Sequence, residues 1–450
     1  MTEPASNHPF AATVATLRDP AGLSDRTAEA YRRALDAADD GVFVSMVPQQ
    51  VVSAAVRKIT DRLRRGETLA LAGTIFTAKD NIDVAGLPTS SNVPGYGSIP
   101  DASAPAVLAA EQAGAILIGK TTMDQFATGL NGTRTSGTIC RNAINPEYIP
   151  GGSSSGSAVA VARGLCDFSL GSDTGGSGRV PAAANGVVGL KPSLGLVSSR
   201  GMVYCNRSFD CIPVFARTVE QVFAVLEIIA GYDPADPYSR EDAGRIPLTP
   251  SPLPSRRLAV LRPADLSFFG DNIAAATYQR NVERLSDLGY TLVEIDFAPF
   301  REAGDMVFKS AMVAERLIDY GDFIDASPNA VVEPVRKSIN AGRDFSARDL
   351  YKILHHLQAL KRETRLAIAD CQALVVPTIP RLYTIAEMCA DPMEKNNVMG
   401  TYTYFVNPLD LCAIAVPGYP RPDGLPSSLC FVAKDGHDAV LRRLGAEFEI

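Results

Sequence analysis

Short, wholly apolar runs alternate with helical patterns along this chain, and this alternation strongly restricts its fold. The runs AILIG, LVVPTIP and LCAIAVPG have the length of strands, whereas APAVLAAEQAG and SAVAVARG have helical character. Strands that are apolar throughout are usually buried on both faces. The sequence therefore predicts an α/β fold with a large mixed, largely parallel central sheet covered by helices on both faces.

The first part of the chain is predicted to be mainly helical. Residues 25–38 and 49–65 carry apolar side chains at intervals of three to four, without proline or glycine. A polar, proline-rich stretch at 234–254 is expected at the surface. We expect a single domain over residues 1–450 with no additional C-terminal domain. Its expected parts are a helical N-terminal segment at about 1–66, a catalytic core at about 67–230 and a substrate-pocket half at about 255–450.

Composition argues against several classes of function. The formal net charge of −7 provides no basic surface for nucleic acid or for an anionic membrane. No apolar run is long enough to cross a bilayer, and the N-terminus lacks a signal pattern. We therefore expect a cytoplasmic protein without nucleic-acid or membrane partners. The eight cysteines show neither metal-ligand spacing nor a disulfide framework, so no metal or other cofactor is expected.

Only four histidines are present: His8, His355, His356 and His437. A Ser–His–Asp or Cys–His hydrolase needs one of them as its base. The first lies in a polar N-terminal arm, the adjacent pair lies in a helical stretch, and the last lies near the C-terminus. None has the setting of a catalytic base, so a hydrolase built from this chain would use another residue type.

The segment that starts at Pro150, PGGSSSGSAVAVARGLCDFSLGSDTGGSGRVPAAANG, combines glycine-rich turns with apolar elements. Flexible linkers do not alternate with core elements over so short a distance. A phosphate-binding loop is a second interpretation, because glycine-rich turns that enter helices expose backbone N–H groups. Residues 114–121 also match the phosphate-loop pattern GxxxxGK[ST], but the four apolar residues between the glycines favour a buried strand.

The chemistry of amide hydrolysis offers a third interpretation of this segment. An amide hydrolase needs an activated nucleophile, a proton donor for the leaving nitrogen and donors for the oxyanion. The turn at 173–177 offers the Ser177 hydroxyl beside backbone N–H groups that glycines allow to converge. Lys79 follows an apolar strand, where burial would lower its pKa and make it a neutral base. Taken alone, Lys79 is better explained as a solvated surface residue.

Three motifs in order, KDN at 79–81, GGSSSGSAVAVA at 151–162 and SDTGGSGRVPA at 172–182, resemble the amidase signature family. The similarity extends over essentially the whole chain, including GAILIGKTTMDQFATG and GVVGLKPSLGLVSSRG. The resemblance implies the amidase signature fold, hydrolysis of a small-molecule amide and, as in many members, a homodimer.

The resemblance also implies a Ser–Ser–Lys triad. Ser177 corresponds to the nucleophile, Ser153 to a bridging serine that follows a cis peptide bond, and Lys79 to the base. In the implied mechanism, Lys79 removes the Ser177 proton through Ser153, which then passes a proton to the leaving amine. Water hydrolyses the resulting acyl-enzyme.

An oxyanion hole is implied in the same turn. Asp173 and Arg179 are expected to brace this turn rather than to touch substrate. The expected oxyanion donors are the backbone N–H groups of Thr174, Gly175, Gly176 and Ser177.

Within the family, the chain most resembles the amidase domain of allophanate hydrolases. MDQFATGLNGTR, SFDCIPVFA, VAER and PTIPRLYTIAEMCADPMEKNNVMGTYTYFVNPLDLCAIAVP carry this likeness. It implies a small, planar, anionic ureido substrate, with its carboxylate paired to an arginine. The substrate-binding residues implied are Arg316, Phe308, Tyr404, Gly129, Asn131 and Gly132.

Two of these positions depart from the allophanate-hydrolase pattern. Phe308 stands where a tyrosine is expected, and Tyr404 stands where the relatives have an asparagine. A different small acid amide is therefore an alternative substrate to allophanate. One further hypothesis is a glutaminase-type amidotransferase subunit. Another is a non-catalytic protein with an amidase fold, although all three triad positions carry the required residues.

Overall fold

A computed structural model describes Phe10 and residues 20–450. The strands within them are β1 (Phe43–Met46), β2 (Ile75–Lys79), β3 (Ile116–Thr121), β4 (Phe168–Leu170), β5 (Val188–Lys191), β6 (Val214–Ala216), β7 (Arg257–Leu261), β8 (Thr291–Ile295), β9 (Ala373–Pro377), β10 (Leu411–Pro417) and β11 (Ser428–Lys434). These eleven strands form one sheet in the order β1-β3-β2-β4-β6-β5-β10-β11-β9-β7-β8. The large sheet of the predicted α/β fold is thereby confirmed.

Helices connect most of these strands. They are α1 (Pro20–Asp36), α2 (Gln49–Arg64), α3 (Pro105–Gln112), α4 (Ser155–Ala162), α5 (Val180–Ala184), α6 (Val219–Ile229), α7 (Asn272–Asp287), α8 (Ala298–Lys309), α9 (Arg316–Ala326), α10 (Glu333–Asn340), α11 (Ala347–Ala367), α12 (Ile385–Ala390), α13 (Glu394–Met399) and α14 (Asp438–Phe448).

Successive residues of the central strands enter two different apolar cores. In β10, Cys412 and Ile414 lie in one core, whereas Leu411 and Ala413 lie in the other. Because successive side chains of a strand point to opposite faces, the two cores lie on opposite faces of the sheet. Helices α6 and α14 contribute to the first core, and α8 and α11 contribute to the second. Helices therefore cover both faces, as predicted.

The strand directions differ from the prediction of a largely parallel sheet. Six of the ten strand pairs are antiparallel, and only β2 with β3 and β4, and β7 with β8 and β9, are parallel. A continuous apolar run indicates burial on both faces, but it carries no information on strand direction. The sheet is mixed, and the expectation of mostly parallel strands was wrong.

The N-terminal region contains both predicted helices and one strand that was not predicted. Helices α1 and α2 correspond to the helical patterns at 25–38 and 49–65. Strand β1 lies between them and pairs with β3 at the sheet edge. Its four residues are all partly or fully exposed, so no apolar alternation identifies it. Of the residues before 20, all but Phe10 lie outside the described part of the chain.

Within the pattern at 114–121, Ile116–Thr121 form strand β3 rather than a phosphate-binding loop. Every position of β3 is buried. The amine of Lys120 donates to the Pro88 carbonyl at 2.6 Å and to the Thr89 hydroxyl at 2.8 Å, and it lies 3.4 Å from the Asp80 carboxylate. Because its donors are used inside the protein, Lys120 is not placed to hold a phosphate.

The sheet crosses from the predicted catalytic core to the predicted pocket half where β5 pairs with β10. The stretch at 234–254 lies mainly at the surface, as predicted. No helix within the described residues is long and apolar enough to span a membrane. The assignment of residues 1–450 to a single domain stays a prediction.

Truncating a central core side chain should strongly destabilise the sheet. Phe431 of β11 is fully buried and packs edge-on against Phe448. We expect Phe431→Ala to lower the free energy of unfolding by about 3–5 kcal/mol, because the cavity cannot collapse fully. Ile318, which is 81% exposed, provides the control. Its change to alanine should cost less than about 0.5 kcal/mol in urea denaturation. Equal losses for the two variants would contradict this assignment of the core.

Candidate active site

Two parallel strands end side by side and place the first polar side chains of the site. In the pairing of β2 with β4, Ala78 lies opposite Leu170. Lys79 is the last residue of β2, and Ser172 lies two residues beyond β4. Parallel strands end at the same edge of a sheet, so Nζ of Lys79 lies 2.7 Å from Oγ of Ser172, to which it donates.

Lys79 is fully buried and also contacts the second expected triad residue. Its Nζ donates to Oγ of Ser153 at 2.7 Å. Removal from water disfavours a charged amine, so burial lowers the pKa of Lys79 to about 7, although nearby acidic groups, with Asp124 the largest contributor, oppose the shift. Near neutral pH, a substantial fraction of Lys79 is therefore uncharged and able to accept a proton.

Ser153 lies in a tight loop immediately before α4. The peptide bond Gly152–Ser153 is cis, as the resemblance implied. The Ser153 carbonyl accepts a hydrogen bond from the Asp124 N–H at 3.1 Å. A Cβ atom on Gly152 would lie 2.2 Å from the Asp124 carboxylate, so only glycine fits before Ser153 while Asp124 keeps its position.

Asp173 holds the turn that carries Ser177. Its carboxylate accepts hydrogen bonds from the N–H groups of Gly176 and Gly178, both at 2.8 Å. It also forms a fully buried ion pair with Arg179 at 2.9 Å. Although burial raises it, the pKa of Asp173 is held below its ordinary value by the Arg179 guanidinium. Asp173 and Arg179 thus brace the turn, as expected from the sequence.

The four expected oxyanion donors are not equivalent. The Gly176 N–H donates to the Asp173 carboxylate at 2.8 Å, so it is less available to an oxyanion than the other three N–H groups. Within residues 20–450, the backbone N–H groups of Thr174, Gly175 and Ser177 donate no backbone hydrogen bond. These three N–H groups stay the predicted oxyanion donors.

A cavity of about 260 Å³ opens beside Ser177, and Thr174 and Gly175 belong to the same wall. Within the described residues, no hydrogen bond joins the hydroxyl groups of Ser177 and Ser153. Catalytic hydrogen bonds often tighten only when substrate binds. No acidic side chain is among the described residues that line this cavity, whereas four basic ones are: Arg134, Arg316, Lys309 and Lys337.

Arg316 is buried at the start of α9 and lines the cavity. Its Nε donates to Oδ1 of Asn206 at 2.8 Å. Its Nη2 is buried and has no hydrogen-bond partner among the described residues. Its guanidinium carbon lies 5.1 Å from the centre of the Phe308 ring. A fixed guanidinium with unused donor capacity suits the carboxylate of a ligand.

Phe308 and Tyr404 lie together at the cavity wall. Their ring centres are 4.1 Å apart. A Cβ atom on Gly175 would lie 2.7 Å from the Phe308 ring and 3.1 Å from that of Tyr404, so both rings pack directly on the glycine turn. The Tyr404 hydroxyl accepts a hydrogen bond from Nδ2 of Asn396 at 3.3 Å. The two positions that depart from the allophanate-hydrolase pattern are thus in contact.

Of the three residues expected to bind substrate from the loop at 129–132, one lines the cavity. Gly129 lines the cavity, whereas Asn131 and Gly132 do not. The buried side chain of Asn131 donates to Asn396 at 2.8 Å, and the Gly132 N–H donates to Asp124 at 3.1 Å. The polar groups of Asn131 and Gly132 thus hold the loop, and their contact with substrate stays a prediction.

Asp210 connects two parts of the site and was not identified from the sequence. Its carboxylate accepts hydrogen bonds from the Thr174 hydroxyl and from the N–H groups of Cys205, at 2.6 Å, and Asn206, at 3.3 Å. Burial raises the pKa of Asp210 to about 7. Since Asn206 also holds Arg316, Asp210 joins the glycine turn to this arginine. The sequence signal that could have identified Asp210 is the motif that contains it, SFDCIPVFA.

Arg134 and Ser172 were also missed, although both lie in quoted motifs. Arg134 is buried and donates to the carbonyl groups of Thr128 and Pro392, each at 2.9 Å. Ser172 accepts hydrogen bonds from Lys79 and, at 3.1 Å, from Asn81. Single polar residues inside motifs gave no indication of such distant partners.

The described histidines lie away from the cavity. His355, His356 and His437 are exposed and do not line it. His8 lies outside the described residues. The part of the chain that the structure describes contains no cluster of three His, Cys, Asp or Glu residues able to hold a metal ion.

Known proteins match the chain over most of its length. The Amidase family model matches residues 26–441. Urea amidolyase of Saccharomyces cerevisiae is 35% identical over 91% of this chain, which spans 22% of that relative. A glutamyl-tRNA(Gln) amidotransferase subunit of Deinococcus deserti is 32% identical over 94% of this chain and 91% of its own length. The structure of Kluyveromyces lactis allophanate hydrolase is 33% identical, with a TM-score of 0.87 over 96% of this chain and 72% of that chain.

The chain belongs to the Amidase family. It is similar in sequence to yeast urea amidolyase and in structure to Kluyveromyces lactis allophanate hydrolase. The resemblance found in the sequence is confirmed.

Removing the charge of Asp173 should disrupt the Ser177 turn. We expect Asp173→Asn to lower the free energy of unfolding by about 3–5 kcal/mol, because Arg179 would be left buried without its counter-ion. The exposed pair of Asp325 and Arg343 provides the control. Asp325→Asn should cost less than about 1 kcal/mol. Similar denaturation midpoints for the two variants would contradict the bracing role of Asp173.

Proposed function

We propose that this protein hydrolyses a small amide or ureido compound bearing a carboxylate, with allophanate as the first candidate. The observation that carries this proposal is the charge of the cavity beside Ser177. Its lining includes two buried arginines and two lysines that are not buried, and no acidic residue among those described. Such a lining attracts an anion and disfavours a cationic substrate.

We assign the chemistry to Ser177, Ser153 and Lys79. Lys79 in its neutral form accepts a proton from Ser153, which takes the proton of Ser177 as this hydroxyl attacks the amide carbonyl. The 2.7 Å contact between Lys79 and Ser153 and the lowered pKa of Lys79 support this order. Ser153 then returns the proton to the leaving nitrogen, and water hydrolyses the acyl-enzyme.

The oxyanion is assigned to the N–H groups of Thr174, Gly175 and Ser177. These groups belong to a turn held by a buried carboxylate, so they are oriented before the reaction and cost little reorganisation. Arg316 is assigned to the substrate carboxylate. Phe308 offers no hydroxyl to that substrate, so orientation depends more on the arginine than it would in a site with a tyrosine there.

Catalysis should depend on the ionisation of Lys79. With a pKa of about 7, Lys79 is neutral above this pH and protonated below it. We therefore expect kcat/KM to fall as pH drops through about 7 and to level off above it. The pH profile of ammonia release measures this dependence.

Asp210, whose pKa is also about 7, requires a control. In Asp210→Asn the acidic limb should persist and move to lower pH, because the Asp210 charge raises the pKa of Lys79. A limb that disappears in this variant would assign the ionisation to Asp210 and contradict the role of Lys79.

Arg316 should discriminate between acid amides and neutral amides. We expect Arg316→Gln to lower kcat/KM about 10–100-fold for allophanate or malonamate, because a charged hydrogen bond is lost, and to have much less effect on a neutral aliphatic amide. The exposed residue Arg343 provides the control variant Arg343→Gln. Ammonia release gives the rates. An equal loss on neutral amides would show that Arg316 is needed only for folding the pocket.

Turnover tests the proposal as a whole. The wild-type protein should release ammonia from allophanate or malonamate faster than from biuret, which has no carboxylate, and faster than from simple aliphatic amides. If a folded preparation hydrolyses neither acid, the proposed substrate class is wrong.

The similarity to the Deinococcus deserti amidotransferase component, at 32% identity, favours glutaminase activity within a complex as the second candidate. That activity would require partner proteins. Glutamine hydrolysis that appears only with co-purified partners would support it. Gel filtration of the isolated chain would at the same time test the homodimer implied by the resemblance.

A further inference from the structure

A second cavity lies next to the catalytic one. This space, here called the outer chamber, has a volume of about 360 Å³, and its lining includes Ala264, Phe300 and Thr401. Three residues line both the outer chamber and the cavity beside Ser177: Lys309, Asn397 and Tyr404. The two spaces are therefore neighbours that share a wall.

The ring of Tyr404 is held firmly in this wall. A Cβ atom on Gly400 would lie 2.1 Å from Cζ of Tyr404, and one on Gly304 would lie 2.9 Å from its Cβ. The other side of the residue packs on Gly175 and stacks with Phe308. Tyr404 is almost fully buried, and its hydroxyl is hydrogen-bonded to Asn396. The contacts leave little room for the ring to rotate, so Tyr404 is a fixed partition.

We propose that Tyr404 determines substrate size by ending the catalytic cavity, and that removing its ring would open this cavity into the outer chamber. The inference rests on the proposed function only for the place of Ser177 as nucleophile. The wild-type enzyme then accepts short acyl groups of few atoms. An amide with a long unbranched chain is excluded, because the phenol ring stands between the catalytic cavity and the chamber that would hold the end of that chain.

Phe308 provides a comparison for this role. It packs on the same glycine and lines the catalytic cavity, but it does not line the outer chamber. Removing its ring would enlarge the catalytic cavity without joining it to the chamber. Of the two stacked rings, Tyr404 is therefore the one that controls access to the additional space.

Two fluorophosphonates that react with a serine hydroxyl test this inference without a substrate. One carries a methyl group and the other carries an octyl chain. The hydroxyl displaces fluoride from phosphorus, forming an oxygen–phosphorus bond and releasing fluoride and a proton. Rates of labelling are measured by intact mass for the wild-type protein, Tyr404→Ala, Tyr404→Phe and Phe308→Ala, and each result is expressed as the octyl-to-methyl ratio.

The ratio should rise at least about tenfold in Tyr404→Ala, in the range that pocket size usually gives for apolar groups. It should stay near the wild-type value in Tyr404→Phe, which keeps the ring, and change less in Phe308→Ala. If Tyr404→Ala does not fold, Tyr404→Val serves in its place. An unchanged ratio in a folded small-residue variant would overturn the proposal.

A second substitution tests whether the octyl chain uses the outer chamber. Ala264 is exposed and lines the chamber but not the catalytic cavity. Adding Ala264→Trp to Tyr404→Ala should remove most of the increase in the octyl-to-methyl ratio. Ala264→Trp alone should leave this ratio unchanged. A gain that survives in the double variant would overturn the assignment of the chamber.

The result of the labelling test can be distinguished from the result of the turnover test of the proposed function. Ammonia release from allophanate and malonamate by the wild-type protein reports on the carboxylate-bearing substrate. The octyl-to-methyl ratio reports only on the space around Ser177. A wild-type protein inactive on both acids, with the expected change in ratio on loss of the ring, would reject the substrate class and retain Tyr404 as the partition.

Discussion

The buried ion pair between Asp173 and Arg179 is the interaction on which the site most depends. Asp173 orders the turn of Ser177, and Arg179 also donates to the Thr403 carbonyl at 3.1 Å and to Asn407 at 3.1 Å. Asn407 in turn donates to the Asp173 carbonyl at 2.8 Å. One pair of charges thus ties the glycine turn to residues more than 200 positions later in the chain. A buried pair of this kind tolerates loss of neither partner.

Burial away from water makes this ion pair sensitive to the loss of either partner. The same burial lowers the pKa of Lys79 and allows it to act as a base. An amine at the end of a fully buried strand is difficult to charge, and two serine hydroxyl groups lie within reach of it. By contrast, the cations near the substrate space are not all alike. Arg134 uses both terminal nitrogens on backbone carbonyl groups and leaves its Nε without a partner among the described residues, whereas Arg316 uses its Nε on Asn206 and leaves Nη2 without one.

The sequence predicted those features that depend on local pattern. Helix α4, strands β2 and β10, and the cis bond before Ser153 follow from apolar periodicity or from a recognised motif. Strand direction was predicted wrongly, because burial on both faces looks the same in parallel and antiparallel pairs. The roles of Asp210 and Asn206 were missed because their partners, Thr174 and Arg316, are distant in sequence. Gly176 was expected to serve the oxyanion, but a side chain three residues earlier uses its N–H. The domain assignment and the triad roles stay predictions.

The close packing of Tyr404 on three glycines has a consequence for the evolution of this pocket. Gly175, Gly304 and Gly400 leave space that the tyrosine occupies, so a larger residue at any of them would collide with it or with its neighbours. The aromatic ring and its glycines are therefore expected to be inherited as a set. A lineage that replaces the tyrosine relaxes the constraint on Gly400, while Gly175 stays restricted by Phe308 and Gly304 by the backbone at 404–405. Divergence in substrate size would then leave a record at Gly400, which lines neither cavity.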